Sequence, residues 1–128
     1  MTTFFFTASE ASGNETEDSL CASAGSEKEP YSYIMFQRHP EDGDDDDGIY
    51  FEFNDQINGA YQCVRACEVA RHQIKIELGE PIDWQKQYSS VIVRLEVCEQ
   101  QYRKFIDILS KIFRREEDSL HLADDAVL

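Results

Sequence analysis

The chain has 128 residues, of which 41% are hydrophobic and 30% charged, and this length suits one domain with one buried core. Its 26 acidic and 12 basic residues give a formal net charge of -14, which would repel phosphate backbones and anionic lipids and so argues against nucleic-acid or membrane binding. No apolar run reaches the ~18 residues of a membrane-spanning helix, and the run Phe4-Phe5-Phe6 lacks the basic flank of a secretory signal, so we expect a cytoplasmic protein.

The N-terminal quarter of the chain divides into an apolar and a polar part. Residues 2–8 are rich in Phe and Thr, a composition that predicts a strand. Residues 9–29 are rich in Ser, Glu, Gly and Ala and have no periodicity, so we predict a long loop or a disordered segment.

The middle of the chain alternates apolar and polar residues, as half-buried strands do. Strands are predicted over residues 31–38, over 49–54 with Ile49, Phe51 and Phe53 on one face, and over 61–70. An acidic connection over residues 39–48 and a turn over 55–59 separate them. Residues 73–78 alternate again after a short connection at Arg71 and His72, which predicts a β-hairpin with residues 61–70.

The C-terminal third contains the change from strand to helix period. Residues 79–90 are predicted to form a loop, and residues 91–97 a strand with every second residue apolar. From residue 99 to 115, apolar residues recur every three or four positions, which predicts an amphipathic helix. Residues 116–128 are predicted to be a polar tail.

This order of elements predicts an α+β fold: an antiparallel sheet of five to six strands with one C-terminal amphipathic helix packed on one face. We divide the chain into residues 1–30, with the first strand and the polar loop, a domain over residues 31–115, and the tail over 116–128. Residues 1–60 hold 14 acidic and two basic residues, and residues 61–128 hold 12 acidic and 10 basic residues. One strongly negative surface is therefore expected.

The densest charge lies in residues 41–48, Glu-Asp-Gly-Asp-Asp-Asp-Asp-Gly. A calcium loop would need a glycine at its sixth position and a carboxylate at its twelfth, and neither possible register of this segment supplies both. Three interpretations remain: a solvated acidic loop without metal, an acidic surface for a basic protein partner, and adventitious cation binding.

The sequence holds no motif that supports catalysis or a metal site. Cys63 and Cys67 are separated by three residues rather than the two usual in zinc knuckles, and no phosphate-binding loop or nucleophile motif is present. We expect four reduced cysteines, at least two of them in the core, and no enzymatic activity or cofactor. His72 is expected to lie exposed in a hairpin turn.

Several stretches of the chain follow one another in a distinctive order. They are Tyr-Ile-Met-Phe-Gln-Arg at residues 33–38, followed by the acidic insert, Tyr-Phe-Glu-Phe at 50–53, and Asn-Gly-Ala-Tyr at 58–61. The later hairpin at residues 74–78 and the helix ending at 109–113 continue the pattern. In this order the stretches resemble the immunity protein 10 family of bacterial polymorphic toxin systems, and the resemblance covers residues 31–113.

The resemblance implies a cytoplasmic antitoxin that binds and neutralises a cognate toxin domain without a catalytic residue or cofactor. Because an acidic protein can occlude a basic toxin and associate with it quickly, we expect a basic toxin and a monomeric or homodimeric antitoxin. Aromatic residues dominate binding hot spots, so the apolar anchors are expected to be Tyr50, Tyr61 and Trp84. The electrostatic part of the interface is expected to comprise Glu41, Asp42, Asp44, Asp45, Asp46, Asp47, Glu52 and Asp55.

One alternative belongs to a different class. Small acidic α+β proteins also serve as type III secretion chaperones, which dimerise and hold an extended segment of an effector. A chaperone needs an exposed apolar groove and typically a helix-mediated dimer, whereas this sequence predicts one helix only.

Overall fold

The computed structural model of the chain describes residues 2–29, 31–40, 48–79 and 88–127. These residues form ten strands, one α-helix and a short 3₁₀ helix at Glu117–Ser119. The strands and the helix are β1 Thr2–Ala8, β2 Glu10–Glu15, β3 Leu20–Gly25, β4 Tyr33–Arg38, β5 Tyr50–Phe53, β6 Asp55–Tyr61, β7 Val64–Ala70, β8 Gln73–Leu78, β9 Tyr88–Leu95, α1 Glu99–Ile112 and β10 Leu120–Leu122.

The strands divide into two five-stranded sheets. The first sheet has the order β1-β9-β8-β7-β10, and the second sheet has the sequential order β2-β3-β4-β5-β6. All pairs in the second sheet are antiparallel. In the first sheet, β7, β8 and β9 are antiparallel, while β1 and β10 run parallel to their neighbours at its two edges.

Helix α1 packs on one face of the second sheet, mainly against β2 and β3. Its apolar stripe is buried as its periodicity requires, and the buried residues are Tyr102, Phe105, Ile106, Ile108, Leu109 and Ile112. Gly13 in β2 lies against this helix, and a Cβ atom there would meet the Lys104 carbonyl and come within 2.8 Å of Ile108 Cγ1. The close approach of α1 to the sheet therefore depends on the absence of a side chain at Gly13.

Aromatic rings join the two sheets and the helix into one core. The Phe4 ring of β1 lies 5.6 Å from Phe53 of β5, and Tyr88 of β9 lies 5.9 Å from Phe53, measured between ring centroids. Phe36 of β4 packs on Phe51 at 4.9 Å and on Phe113 at 5.9 Å. The first sheet thus contacts the second through β1 and β9, and the end of α1 contacts it through Phe113.

Contacts at both ends of α1 hold the helix in place. At its C-terminus the buried Arg38 guanidinium donates to the Ile112 carbonyl at 3.0 Å and pairs with the Glu116 carboxylate. At its N-terminal turn the Tyr102 hydroxyl donates to the buried Ala126 carbonyl, while the Arg71 guanidinium stacks 4.4 Å above the Tyr102 ring. The C-terminal residues are consequently part of the packed structure.

The α+β class and the C-terminal helix are confirmed, but the strands form two sheets rather than one sheet of five to six. The prediction of a loop over residues 9–29 was wrong, because β2 and β3 lie there. The predicted turn over 55–59 is strand β6, and the predicted polar tail contains β10. The division of the chain at residues 30 and 115 stays a prediction.

Other elements agree with the alternation pattern. The β7–β8 hairpin is confirmed, with His72 exposed in its turn, and so are β1, β5, β9 and α1. The predicted strand over residues 61–70 is split, because Tyr61 ends β6 and Val64 begins β7. Of the loop predicted over residues 79–90, the last three residues belong to β9, and residues 80–87 lie outside the described residues.

Across the described ranges, no helix has the length and apolar character needed to cross a membrane.

Candidate partner-binding site

Four of the predicted partner-binding residues lie on β5 and β6 of the second sheet. Phe51 and Phe53 of β5 point into the core, so the alternate residues Tyr50 and Glu52 point to the opposite face. We call this face, turned away from α1, the outer face of the second sheet. Tyr61 lies on it opposite Tyr50, and the exposed Asp55 begins β6. Glu41, Asp42, Asp44, Asp45, Asp46, Asp47 and Trp84 lie outside the described residues.

Glu52 is the centre of a hydrogen-bond cluster on the outer face. Its Oε1 accepts a hydrogen bond from the Tyr50 hydroxyl at 2.6 Å, and its Oε2 accepts one from the Tyr33 hydroxyl. The residue is only 5% exposed, although we expected its charge to form part of the electrostatic interface. Because both of its oxygens are engaged and covered, Glu52 positions the two rings rather than presenting its charge to a partner.

Burial and the carboxylate change the acidity of both phenols. Burial raises the pKa of Tyr50 to about 12, and its hydrogen bond to Glu52 raises it as well. The same two causes raise the pKa of Tyr33. Both hydroxyls therefore keep their protons at neutral pH and remain donors to Glu52.

The local backbone explains how these residues meet. Gly59 pairs with Glu52 across β5 and β6, and a Cβ atom at Gly59 would meet the Tyr50 hydroxyl and lie 2.8 Å from Glu52 Cβ. The absence of that atom leaves room for the Tyr50 side chain to fold over β6. Asn54 makes the turn between the strands at a φ of 65°, where Asn is among the few residues tolerated without strain, and its Oδ1 accepts from the Tyr33 amide at 3.0 Å.

Tyr61 lies next to the Glu52 cluster and presents a larger accessible aromatic surface than the two tyrosines of the cluster. It is 51% exposed, and its ring lies 5.2 Å from the Tyr50 ring between centroids. The two rings form a tilted pair, one held by Glu52 and one largely in solvent. Such a pair offers apolar area with hydroxyl groups at its edge, which is the character of binding hot spots.

A groove of about 600 Å³ continues the outer face toward β2 and β3. Small residues, among them Ser12, Ser23 and Gly25, form part of its lining, and Tyr31, Tyr33 and Met35 line it as well. Tyr31 is 67% exposed. Tyr33 belongs both to the groove and to the Glu52 cluster, so the two features are continuous.

Carboxylates border this face. Glu10 lines the groove, and a side-chain hydrogen bond with Glu27 together with their like charge raises the pKa of Glu10. The turn between β2 and β3 carries the exposed Glu17 and Asp18. Residues 10–61 hold 14 acidic residues against Lys28 and Arg38, and Arg38 is buried in its pair with Glu116.

Neither the groove nor the role of Tyr33 was predicted from the sequence. Residues 9–29 have few large apolar side chains, so the sequence of the strands that line the groove shows no alternation of large apolar and polar residues. Tyr33 could have been placed, because Ile34 and Phe36 are the buried residues of β4 and their alternation sends Tyr33 to the face of Tyr50.

Cys63 and Cys67 add no reactive group to this site. Cys63 and Cys67 are buried in the core, which confirms that at least two cysteines are core-facing. Burial raises the pKa of Cys63 to about 11 and raises that of Cys67 as well, so both are held as thiols. Among the described residues, no group of three or more His, Cys, Asp or Glu side chains is placed to hold a metal ion.

Comparison with known proteins finds a match to a protein family. The immunity protein 10 family matches residues 7–103, a span that includes all five strands of the second sheet. No curated protein and no solved structure matches the chain.

Proposed function

The chain belongs to the immunity protein 10 family, and we propose that it is an antitoxin that neutralises a cognate bacterial toxin by binding it on the outer face of the second sheet. The family match carries the antitoxin role, and the exposed Tyr61 ring beside Tyr50 supports the choice of the outer face. An antitoxin of this kind acts by stoichiometric binding in the cytoplasm, so it needs neither a catalytic residue nor a cofactor.

Tyr61 and Tyr50 are the proposed apolar anchors. Tyr61 supplies exposed ring area, and Tyr50 packs beside it with its hydroxyl fixed on Glu52. A side chain held before binding loses less entropy on association than a free one. The Glu52 cluster therefore supports the anchors by positioning, which replaces the direct charge contact that we expected from Glu52.

Charge supplies the long-range part of the proposed recognition. In the chain, the acidic segment 41–47 lies between β4, which carries Tyr33, and β5, which carries Tyr50. Asp55, Glu10 and the acidic β2–β3 turn add further carboxylates to the second sheet. A basic toxin would be attracted to this side and would associate faster at low salt.

Charge reversal tests this proposal. Asp44, Asp45, Asp46 and Asp47 are all changed to Lys, and association with the toxin domain encoded beside this chain's gene is followed by stopped flow at low and high salt. We expect the association rate constant to fall at least tenfold at low salt and its salt dependence to weaken. Unchanged kinetics at low salt would remove the segment from the interface.

A matched variant separates local charge from net charge. Four carboxylates on the first-sheet side of the molecule are reversed instead, which changes the net charge by the same amount; they are Glu68, Glu77, Glu96 and Asp124. This variant is expected to keep most of the wild-type rate. Equal slowing by both variants would show that net charge alone matters and that the second sheet has no special part.

The secretion-chaperone alternative gains no support from the family match. In a growth assay, co-expression of this chain should protect cells from the toxin domain, and Tyr61→Ala should reduce that protection. Stable binding of an effector segment without any protection would favour the chaperone instead.

A further inference from the structure

Strand β1 lies at one edge of the first sheet, with β9 as its partner in the sheet order. The Ala8 carbonyl accepts a hydrogen bond from the Glu96 amide at 2.9 Å, so Ala8 turns its backbone polar groups toward β9. In a regular strand, successive residues direct their backbone N–H and C=O groups to opposite edges. Thr3, Phe5 and Thr7 therefore turn their N–H and C=O groups away from β9, to the edge of the sheet.

The side chains of β1 alternate in the same way. Phe6 and Ala8 are buried and Phe4 is packed against the core, whereas Phe5 is 59% exposed on the other face. Thr3 is exposed beside it, with its hydroxyl 2.8 Å from the Ser90 hydroxyl. The edge strand thus combines backbone groups directed outward with a large exposed ring.

Within the described residues, strand β1 carries none of the sequence features that normally prevent strand pairing. Proteins protect edge strands with charged side chains, proline or bulges. Residues 1–9 contain no charged residue and no proline, in a chain whose net charge is -14. The regular register with β9 over residues 3–8 also leaves the strand without a bulge there.

The sequence of β1 is self-complementary. Residues 3–7 read Thr-Phe-Phe-Phe-Thr in both directions, so an antiparallel second copy presents the same side chains in the same order. With a two-fold axis at Phe5, the two Phe5 residues exchange two backbone hydrogen bonds, and Thr3 of each copy faces Thr7 of the other. These are the three residues whose backbone groups point outward, as an isologous interface requires.

We propose that two copies of this chain pair through β1, antiparallel about a two-fold axis at Phe5, so that their five-stranded first sheets join into one continuous sheet. Charge favours a second copy over a basic partner. Two strongly acidic chains repel one another least where neither carries charge, and a basic partner gains no attraction at an uncharged edge. The match to the immunity protein 10 family begins at residue 7 and so does not include residues 2–6 of β1.

Sedimentation equilibrium of the full chain, from micromolar to millimolar, tests this pairing. The mass of the wild type is expected to rise from 14.8 kDa toward twice that value, and to rise further with salt because like charges are screened. Phe5→Lys should stay monomeric across the range. Leu122→Lys is the matched control, since Leu122 is a 42% exposed apolar residue on β10 at the opposite edge, and it should dimerise like the wild type.

Cysteine crosslinking tests the register in a Cys98→Ser background, because Cys98 is exposed. Phe5→Cys should crosslink to itself, Thr7→Cys alone should not, and a mixture of Thr3→Cys with Thr7→Cys should. Circular dichroism checks that each variant is folded.

Three results would each overturn the proposal: a wild type that is monomeric at every concentration, a dimer that Phe5→Lys leaves intact, or a Thr7→Cys chain that crosslinks to itself. If the chain is monomeric and Phe5→Lys abolishes toxin binding, the edge at β1 binds the toxin instead of a second copy.

Discussion

The first sheet buries large aliphatic side chains, whereas the second sheet buries small ones where the helix crosses it. Ile74, Ile76 and Val93 are fully buried in the first sheet, and Ala22 and Ala24 take the equivalent inward positions in β3 of the second. Small side chains let the backbone of α1 approach the strands closely. The helix, rather than strand propensity, therefore accounts for the composition of β2 and β3.

The two sheets also differ in how they carry charge. On the first sheet, exposed charges neutralise one another in pairs, such as Lys75 with Glu77 at 4.0 Å and Arg94 with Glu96 at 3.4 Å. On the second, carboxylates outnumber basic groups, and Arg38 is buried in an ion pair. A partner that recognises charge would distinguish the two sides of the molecule.

The largest expected effect of a single substitution is at Gly13, under the helix. Gly13→Val places a side chain against the Lys104 carbonyl and Ile108, and we expect a loss of about 3 kcal/mol in the free energy of unfolding. Urea denaturation measures it. Ser12→Val, at the exposed neighbouring position, is the control and should change the stability little. Equal stability of both variants would contradict the close approach.

A pair of arginine substitutions compares the sheets directly. Arg38→Ala removes a buried guanidinium that holds the Ile112 carbonyl and Glu116, and should cost about 2–3 kcal/mol. Arg94→Ala removes an exposed ion pair and should cost about 0.5 kcal/mol or less. Thermal and urea unfolding would show the difference. Similar losses at both positions would mean that Arg38 does not anchor the helix end.

A smaller effect is expected at Glu52. Glu52→Gln keeps the size of the side chain but replaces one acceptor oxygen by an NH₂ group, so one of the two tyrosine hydroxyls loses its partner. The expected loss is about 1–2 kcal/mol, together with weaker toxin binding. Glu77→Gln on the first sheet is the control. Unchanged toxin affinity in a folded Glu52→Gln variant would separate the cluster from the binding site.

Alkaline pH should produce the most gradual effect. The pKa of Tyr50 is raised to about 12 and that of Tyr33 is raised too, whereas unfolded tyrosines titrate near their ordinary value of about 10. Between these values the folded state binds more protons than the unfolded state, so stability falls as pH rises above about 10. In Tyr50→Phe this fall should be shallower in urea denaturation at pH 9 to 11. An identical slope would argue against the Tyr50–Glu52 contact.

The difference between the sheets also explains what sequence alone could predict. Alternating large apolar residues identified β5, β8, β9 and the helix face. In β3, Leu-Cys-Ala-Ser-Ala-Gly alternates buried and partly exposed residues just as regularly, but small side chains do not distinguish a strand from a loop. Strand β6 contains Asn-Gly, a pair that is common in turns. Here Gly59 lies inside a strand, where the absence of a Cβ atom leaves room for the Tyr50 side chain.

The candidate site was predictable where it depended on one strand. Tyr50 and Glu52 follow from the alternation in β5, and the exposure of Tyr61 agrees with its proposed role as an anchor. The burial of Glu52 could not be predicted, because it depends on the Tyr33 hydroxyl arriving from β4 across the strand pairing. Register between strands was the missing information.

Hydrogen exchange of the chain with and without its cognate toxin domain tests the central claim most directly. Amide protection reports which backbone segments a partner covers or stabilises. We predict added protection over residues 50–61 of β5 and β6, with little change in the β7–β8 hairpin over residues 64–78. Protection confined to the hairpin, with none over residues 50–61, would contradict binding on the outer face of the second sheet.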